Sequence, residues 1–343
     1  MSLTSEIAEQ PKVVRRLLEE GWPDAKALGR ALGRIEHVTL VARGSSDNAA
    51  TYGKYMFESV AAIVTALAAP SLVTRYDAAP AFGRGAVIGI SQSGASPDVA
   101  AVVREGRRAG AVTIALTNSP RSRLARTAEH VFALRAGRER AVAATKTYTA
   151  TCVALALLAA ATAEARGRSA LSLAGLPEAV DEAVAMSSDA ARLARRIGRA
   201  DAIVVLGRGY QFAAALEASL KIKELARVWA EPYSSADFAH GPQTLLRRGT
   251  PVLLLSSRGA TEAEARALAR ALARKGARLY AITNDERLAA DVADAVLLRA
   301  PLSETLTPVS FVIAAQLLAV ALARRRGRDP ERPAGLSKVT RTC

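Results

Sequence analysis

A chain of 343 residues is long enough to bury two cores, and with half of it hydrophobic but 4% aromatic, Ala, Leu and Val must build them. The net charge of +15 invites a nucleic-acid partner, but most of the arginines are scattered. Dense runs such as Arg247-Arg248 and Arg324-Arg325-Arg326 have no interleaved aromatics, so nucleic acid gives way to solvated helix faces whose field also attracts small anions. No apolar run reaches the length of a membrane span without polar interruption. Cys152 to Ala161 and Phe311 to Ala323 therefore read as buried helices, and no membrane partner is expected. Met1-Ser2-Leu3-Thr4 opens no signal peptide, and Cys152 and Cys343 suggest no disulfide framework, so the expected compartment is a reducing cytoplasm.

In chain order, residues 1–35 read as helices, Glu6 to Leu18 and then Asp24 to Leu32, with Pro23 opening the second. From His37 strand–turn–helix units begin. VTLVA at 38–42 ends in Arg43-Gly44-Ser45-Ser46-Asp47, and a helix follows from Ala49 to Val60. AVIGIS at 86–91 leads through Gln92-Ser93-Gly94-Ala95-Ser96-Pro97 into a helix from Asp98 to Ala109. VTIALTN at 112–118 and VFAL at 131–134 are further strands, and ERAVAATKTY at 139–148 opens a helix at Thr145. Short apolar strands alternating with helices of this length predict a parallel sheet wound on both faces.

The same script then repeats. AIVVLGRG at 202–209, PVLLLSS at 251–257 and LYAITN at 279–284 echo the first three strands, at a near-constant offset of 165 to 166 residues. This predicts an internal duplication: an α/β protein of two similar doubly wound domains. The expected boundaries are 36–165 and 199–332, with connecting helices at 166–198 and a tail at 333–343.

In such sheets ligands bind at the carboxyl ends of strands. There the first repeat carries Ser45, Ser46, Ser91, Gln92, Ser93 and Ser96, with Ser96 as N-cap and Pro97 at N1. Hydroxyls beside the free N–H groups of a helix start make a phosphate cradle, and the absence of a Gly-x-x-x-x-Gly-Lys loop argues against a nucleoside triphosphate. The second repeat, with Ser256-Ser257-Arg258-Gly259, lacks this hydroxyl density, so phosphate is expected in the first repeat alone. From Leu216 to Pro242 the chain reads LEASLKIKELARVWAEPYSSADFAHGP. Spacings of four and three residues place Glu217, Lys221 and Glu224 on one helical face, where they can perturb one another's proton affinity. The rival reading is a solvated face with one ion pair. The apolar stripe of Leu216, Leu220, Leu225 and Val228, and the loop-borne His240-Gly241-Pro242 beyond, favour acid–base chemistry. The helix is expected to run into a Tyr-Ser-Ser turn. Lys146 serves either a ligand or solvent; His37 and His130 read as surface residues. Histidine and cysteine are too sparse for a metal cluster, and no cofactor is expected.

SQSGASPD, ERAVAATKT, LEASLKIKELARVWAEPY, HGP and the terminal GLSKVTRT together closely resemble the isomerase half of glucosamine-6-phosphate synthase, which is built of two sugar isomerase (SIS) domains. The resemblance covers essentially the whole chain and implies two tandem SIS domains, each a doubly wound parallel sheet flanked by helices. It places the phosphate loop on Ser91, Gln92, Ser93 and Ser96, joined by Ser46 and Ser45. It makes Glu224 the proton-shuttling carboxylate, with Lys221 and Glu217 lining the same site. His240 matches the ring-opening histidine that reaches in from a neighbouring subunit, implying a homodimer. Lys338 matches the Schiff-base lysine, and Val142 and Glu139 match sugar contacts. The synthase begins with a glutaminase domain and this chain begins Met1-Ser2, so the resemblance implies isomerisation and deamination of glucosamine 6-phosphate to fructose 6-phosphate without glutamine. Ser96 stands where threonine is usual and Ala95 where Glu is frequent, which leaves the sugar open. A deglycase for fructosamine 6-phosphate, or another amino- or keto-sugar-phosphate isomerase, is the alternative within enzymes. A non-catalytic sugar-phosphate sensor is the alternative outside them, although residues 1–35 provide no DNA-binding head and a sensor has no need of Glu224, His240 and Lys338 together.

Overall fold

Ten parallel strands form two sheets of five in the computed structural model, which describes residues 2–169 and 171–338. The last residues of the expected tail, 339–343, lie outside the described residues. The first sheet holds β1 (His37–Val41), β2 (Val64–Leu67), β3 (Ala86–Ile90), β4 (Val112–Thr117) and β5 (His130–Ala133), in the order β2-β1-β3-β4-β5. The second holds β6 (Ala202–Gly207), β7 (Trp229–Ser234), β8 (Pro251–Ser256), β9 (Arg278–Thr283) and β10 (Asp294–Leu297), in the order β10-β9-β8-β6-β7. Read outward from the first strand of each half, the two orders are the same. The duplication legible in the sequence is therefore a duplication of topology. The turns repeat as well: Gly44 and Gly209, in the turn after the first strand of each repeat, adopt φ of 58° and 57°, left-handed values that glycine takes without cost.

Three strands escape the sequence reading, β2, β7 and β10, and all three lie at sheet edges. An edge strand buries only part of its surface, so its apolar run is broken. Val64 in β2 and Trp229 in β7 are each 73% exposed. In β7 the Tyr233 and Ser234 of the expected Tyr-Ser-Ser turn are instead strand, in parallel register with β6 from Ala202↔Trp229 to Gly207↔Ser234, and Ser235 opens the helix Ser235–Ala239. Pro232 is tolerated because an edge strand has a side with no ladder to donate to.

The chain divides into two units. The N-terminal unit comprises residues 12–139, 146–173 and the described part of the tail from Ser337, and contains the first sheet. Its central helix, Lys146–Ala165, is buried almost throughout and packs on the helix Ser45–Ser59. The helix Gln10–Leu32 also approaches it closely. A Cβ at Gly29 would lie 2.7 Å from the backbone of Ala161, so only glycine permits that approach. This helix is continuous, where two pieces were expected. Pro23 and Glu19, whose carbonyl loses its donor, both face solvent, so water takes the place of the missing bond.

The C-terminal unit comprises the residues up to Pro11, Arg140–Thr145 and Ala174–Leu336, and contains the second sheet. Its central helix is Thr307–Arg325, packed by the helices Leu176–Ala185, Ser187–Ile197 and Gln211–Lys221. Both central helices are long and apolar enough to cross a membrane, and 89% of the apolar stretch of each is buried within the protein. The segment 140–145 is held by the fully buried Glu6, whose carboxylate accepts from the backbone N–H of Arg140 at 2.5 Å and of Ala141 at 3.1 Å. Gln10 extends that anchor by donating to Gln316 at 2.9 Å.

Candidate active site

The strand order of the first sheet reverses direction between β1 and β3. Because parallel crossovers are right-handed, the helices that follow these two strands leave on opposite faces and open a crevice at the strand ends. The serines lie on the two loops that flank it. Ser45 and Ser46 begin the helix Ser45–Ser59 directly after β1, and Ser91 to Ser96 fill the connection from β3 to the helix Pro97–Arg108.

The β3 loop is built on its own hydroxyls. Ser91 Oγ accepts from Gly94 N–H at 3.2 Å and lies 3.3 Å from Ser96 Oγ; Ser93 Oγ accepts from Ala95 N–H at 3.3 Å. Ser96 occupies the N-cap position, as expected, but its side chain makes no capping bond, so the hydroxyl faces its neighbours instead of the helix. The Gln92 carbonyl accepts from Asn118 N–H at 3.1 Å and from Thr117 Oγ at 3.3 Å, which fixes the loop to the end of β4. Gly94 adopts φ of 62°, and a Cβ there would lie 1.9 Å from Ser122 Oγ. Gly94→Ala is therefore expected to cost about 1–2 kcal/mol in left-handed strain alone and to push the loop off its anchor. Thermal unfolding should show the loss, and calorimetric titration with inorganic phosphate should show weaker binding.

Arg43 and Asp98 also belong to this crevice, and the sequence reading missed their pairing. Arg43 Nε lies 2.6 Å from Asp98 Oδ2, joining the turn after β1 to the first turn of the helix after β3; Asp98 is 2% exposed. The only sequence signal was the unusual Arg before Gly44. Its partner is 55 residues away, and nothing local indicates it.

Glu139 and Lys338 also meet within the N-terminal unit. Glu139 is buried, accepts from Thr147 N–H at 3.1 Å and Thr147 Oγ at 2.7 Å, and pairs with Lys338 Nζ at 2.9 Å. Lys146 is 1% exposed and donates to the Arg138 carbonyl at 2.9 Å, so it does not reach solvent.

In the C-terminal unit the helix Gln211–Lys221 passes into a π-helical turn, Ile222–Ala226, and is stopped by Arg227 at a left-handed φ of 53°. The wider turn re-aims Glu224 relative to a regular helix; such insertions recur at functional sites. Lys221 and Glu217 are fully buried, with Lys221 Nζ 3.4 Å from Glu217 Oε1. Lys221 also donates to Glu224 Oε2, and the Glu224 side chain is 21% exposed. One ammonium thus serves two carboxylates, and of the three groups only Glu224 reaches solvent. When Glu224 gains a proton, the cluster changes from a net negative charge to neutral, which suits a group that accepts and returns a proton.

Val142 sits in the segment that Glu6 anchors, in the same unit as this cluster. His240 ends the short helix Ser235–Ala239 and is exposed; no hydrogen bond or ion pair ties it to the triad among the described residues.

The pattern of the SIS domain family matches residues 32–161 and 197–324, repeating the spacing of the duplication. The chain is 31% identical over 338 residues to a glutamine–fructose-6-phosphate aminotransferase (isomerizing) of Methanothermobacter thermautotrophicus, and 33% identical over 352 residues to one of Gloeobacter violaceus. Each comparison takes in 98% of this chain but only 56% and 58% of those proteins, so the chain spans a little over half the length of these relatives. A solved structure from Silicibacter pomeroyi, provisionally named a phosphosugar isomerase, is 36% identical with a TM-score of 0.84, covering 96% of this chain and 100% of its own. The C-terminal domain of a glucosamine-fructose-6-phosphate aminotransferase from Francisella tularensis is 26% identical with a TM-score of 0.87, covering 96% of each chain.

Proposed function

We infer, from the premise that this chain belongs to the SIS domain family and carries two copies of that domain, that it is a sugar-phosphate isomerase of the deaminating kind. The proposed reaction takes glucosamine 6-phosphate and water to fructose 6-phosphate and ammonia. The observation that carries this reading is the buried Glu217–Lys221–Glu224 cluster, which offers one partly exposed carboxylate on a π-helical turn.

In this reading Ser45, Ser46, Ser91, Gln92, Ser93 and Ser96 hold the phosphate. Their hydroxyls and the N–H groups at the start of the helix Pro97–Arg108 are neutral donors to a dianion. His240 moves the proton that opens the sugar ring. It comes from a neighbouring copy of the chain, so the active form is a homodimer. Glu224 takes the proton from C2 of the open aldose and returns it to C1 while a second proton passes from the amine to O1, leaving a hydroxyl at C1, an imine at C2 and the carboxylate as it began. The Lys338 amine then adds at C2 and expels ammonia. Water hydrolyses the resulting Schiff base, freeing the ketose and the lysine. Val142 and Glu139 contact the sugar, and the ion pair of Glu139 with Lys338 supports their acting together.

The test is to incubate the purified protein with glucosamine 6-phosphate, without glutamine, and to follow ammonia and fructose 6-phosphate. In D2O the proton held on the partly exposed Glu224 exchanges with solvent before its return, so deuterium should appear at C1, and borohydride should trap the sugar on Lys338. In a parallel panel of hexosamine and glycated-amine 6-phosphates, turnover confined to a glycated amine would move the substrate assignment. No turnover of any phosphosugar would overturn the enzymatic reading.

A further inference from the structure

The second repeat contains the same loop as the proposed phosphate cradle, filled differently. Ser256 ends β8 as Ser91 follows β3, Gly259 stands at the place of Gly94, and Glu262 opens its helix where Pro97 opens the other. Both glycines have positive φ, 62° at Gly94 and 137° at Gly259. In the first repeat, amides of the loop meet serine hydroxyls. In the second they meet carboxylates: Ala260 N–H donates to Glu304 Oε2 at 2.9 Å, and Gly259 N–H to Glu262 Oε2 at 3.2 Å. Glu304 lies so close that a Cβ on Gly259 would fall 2.1 Å from its carboxylate oxygen.

This difference decides which loop accepts a dianion. A hydroxyl that accepts from an amide still carries a hydrogen to give to a phosphate. A carboxylate has none, and it repels the phosphate as a like charge. Two further observations indicate that the loop retains the form of a ligand site. Ser256 and Ser257, 6% and 1% exposed, have hydroxyl oxygens with no hydrogen-bond partner among the described residues. A cavity of about 320 Å³ also adjoins the loop, lined by Arg258, Glu262, Arg266, Asp285, Glu286 and Arg287.

We propose that residues 256–261 form a second phosphate cradle held shut by the carboxylate of Glu304, assisted by Glu262, so that the chain binds one phosphorylated ligand instead of two. Glu304 is then a specificity residue: it is an internal anion in the place of an external one. The idea rests on the reading of the first loop as the phosphate site, and the test separates the two. Inorganic phosphate is titrated calorimetrically, at low ionic strength, into the wild type, Glu304→Ala, Ser91→Ala/Ser96→Ala, and the triple combination. The wild type should bind one phosphate per chain and Glu304→Ala two. The serine variant should bind none, and the triple variant one. A Glu304→Ala protein with native circular dichroism that still binds a single phosphate would overturn the plug. A wild type whose single site survives the serine substitutions would overturn the first-loop reading, while the gain on removing Glu304 is still measured independently. Glu304→Gln, which keeps an acceptor for Ala260 N–H without the charge, should give a second site weaker than that of Glu304→Ala. Equal affinities would mean that charge removal alone, and not vacating the Ala260 amide, opens the loop.

Discussion

Glu224→Gln is expected to lower kcat by about two orders of magnitude or more, the usual range for a lost general acid–base. The amide keeps the shape of the side chain and can still meet Lys221, so the fold should hold. The phosphate end is assigned to other residues, so fructose 6-phosphate should bind with little change. A steady-state assay on glucosamine 6-phosphate, paired with calorimetric binding, separates the two effects. Full activity in this variant would sink the assignment of the base. A loss of binding equal to the loss of rate would mean that Glu224 positions the sugar and does not move its proton.

Lys221→Met should act on stability first. Lys221 is fully buried, with Glu217, also fully buried, on one side and Glu224 on the other. Methionine fills the apolar stem but leaves the Glu217 carboxylate without its positive partner. Removing one member of a buried pair typically costs about 3–5 kcal/mol, most of it the cost of the charge left behind. Urea denaturation should show that loss. Lys221→Met/Glu217→Gln should recover much of it, because the stranded charge is gone. No recovery in the double variant would show that the single substitution fails through packing and not through charge. Neither variant should regain catalysis, since Glu224 has lost its counter-charge in both.

The repeat was readable because buried parallel strands are continuous apolar runs, and three of them recur at nearly one spacing. Three of the four edge strands were not, because β2, β7 and β10 give part of their surface to solvent and show no such run; the fourth edge, β5, was read from VFAL. The Glu217–Lys221–Glu224 face was legible from helical spacing alone, and the structure brings the three together. The π turn at Glu224 was not, since one extra residue in a helical turn leaves no mark on composition. The same limit hid Asp98 from Arg43 and Glu304 from Ala260, pairs set by chain reversals and not by neighbours in the sequence. Pro23 misled for a physical reason: it lies on the exposed face of the helix, where the carbonyl it strands is open to water and the helix runs on.

The anchor at Glu6 has a consequence for the order in which this protein is made. Its carboxylate is synthesised well before the amides it receives, which come more than a hundred residues later. The helix that Gln10 joins through Gln316 emerges about three hundred residues after it. Domains generally fold as units during translation, the earlier ones first. Here the first sheet is free to form on the nascent chain, while Glu6 and Gln10 wait for the segment 140–145 and the helix Thr307–Arg325. The unit that carries the proposed proton-shuttling carboxylate is therefore completed only after every strand of the first sheet has been made.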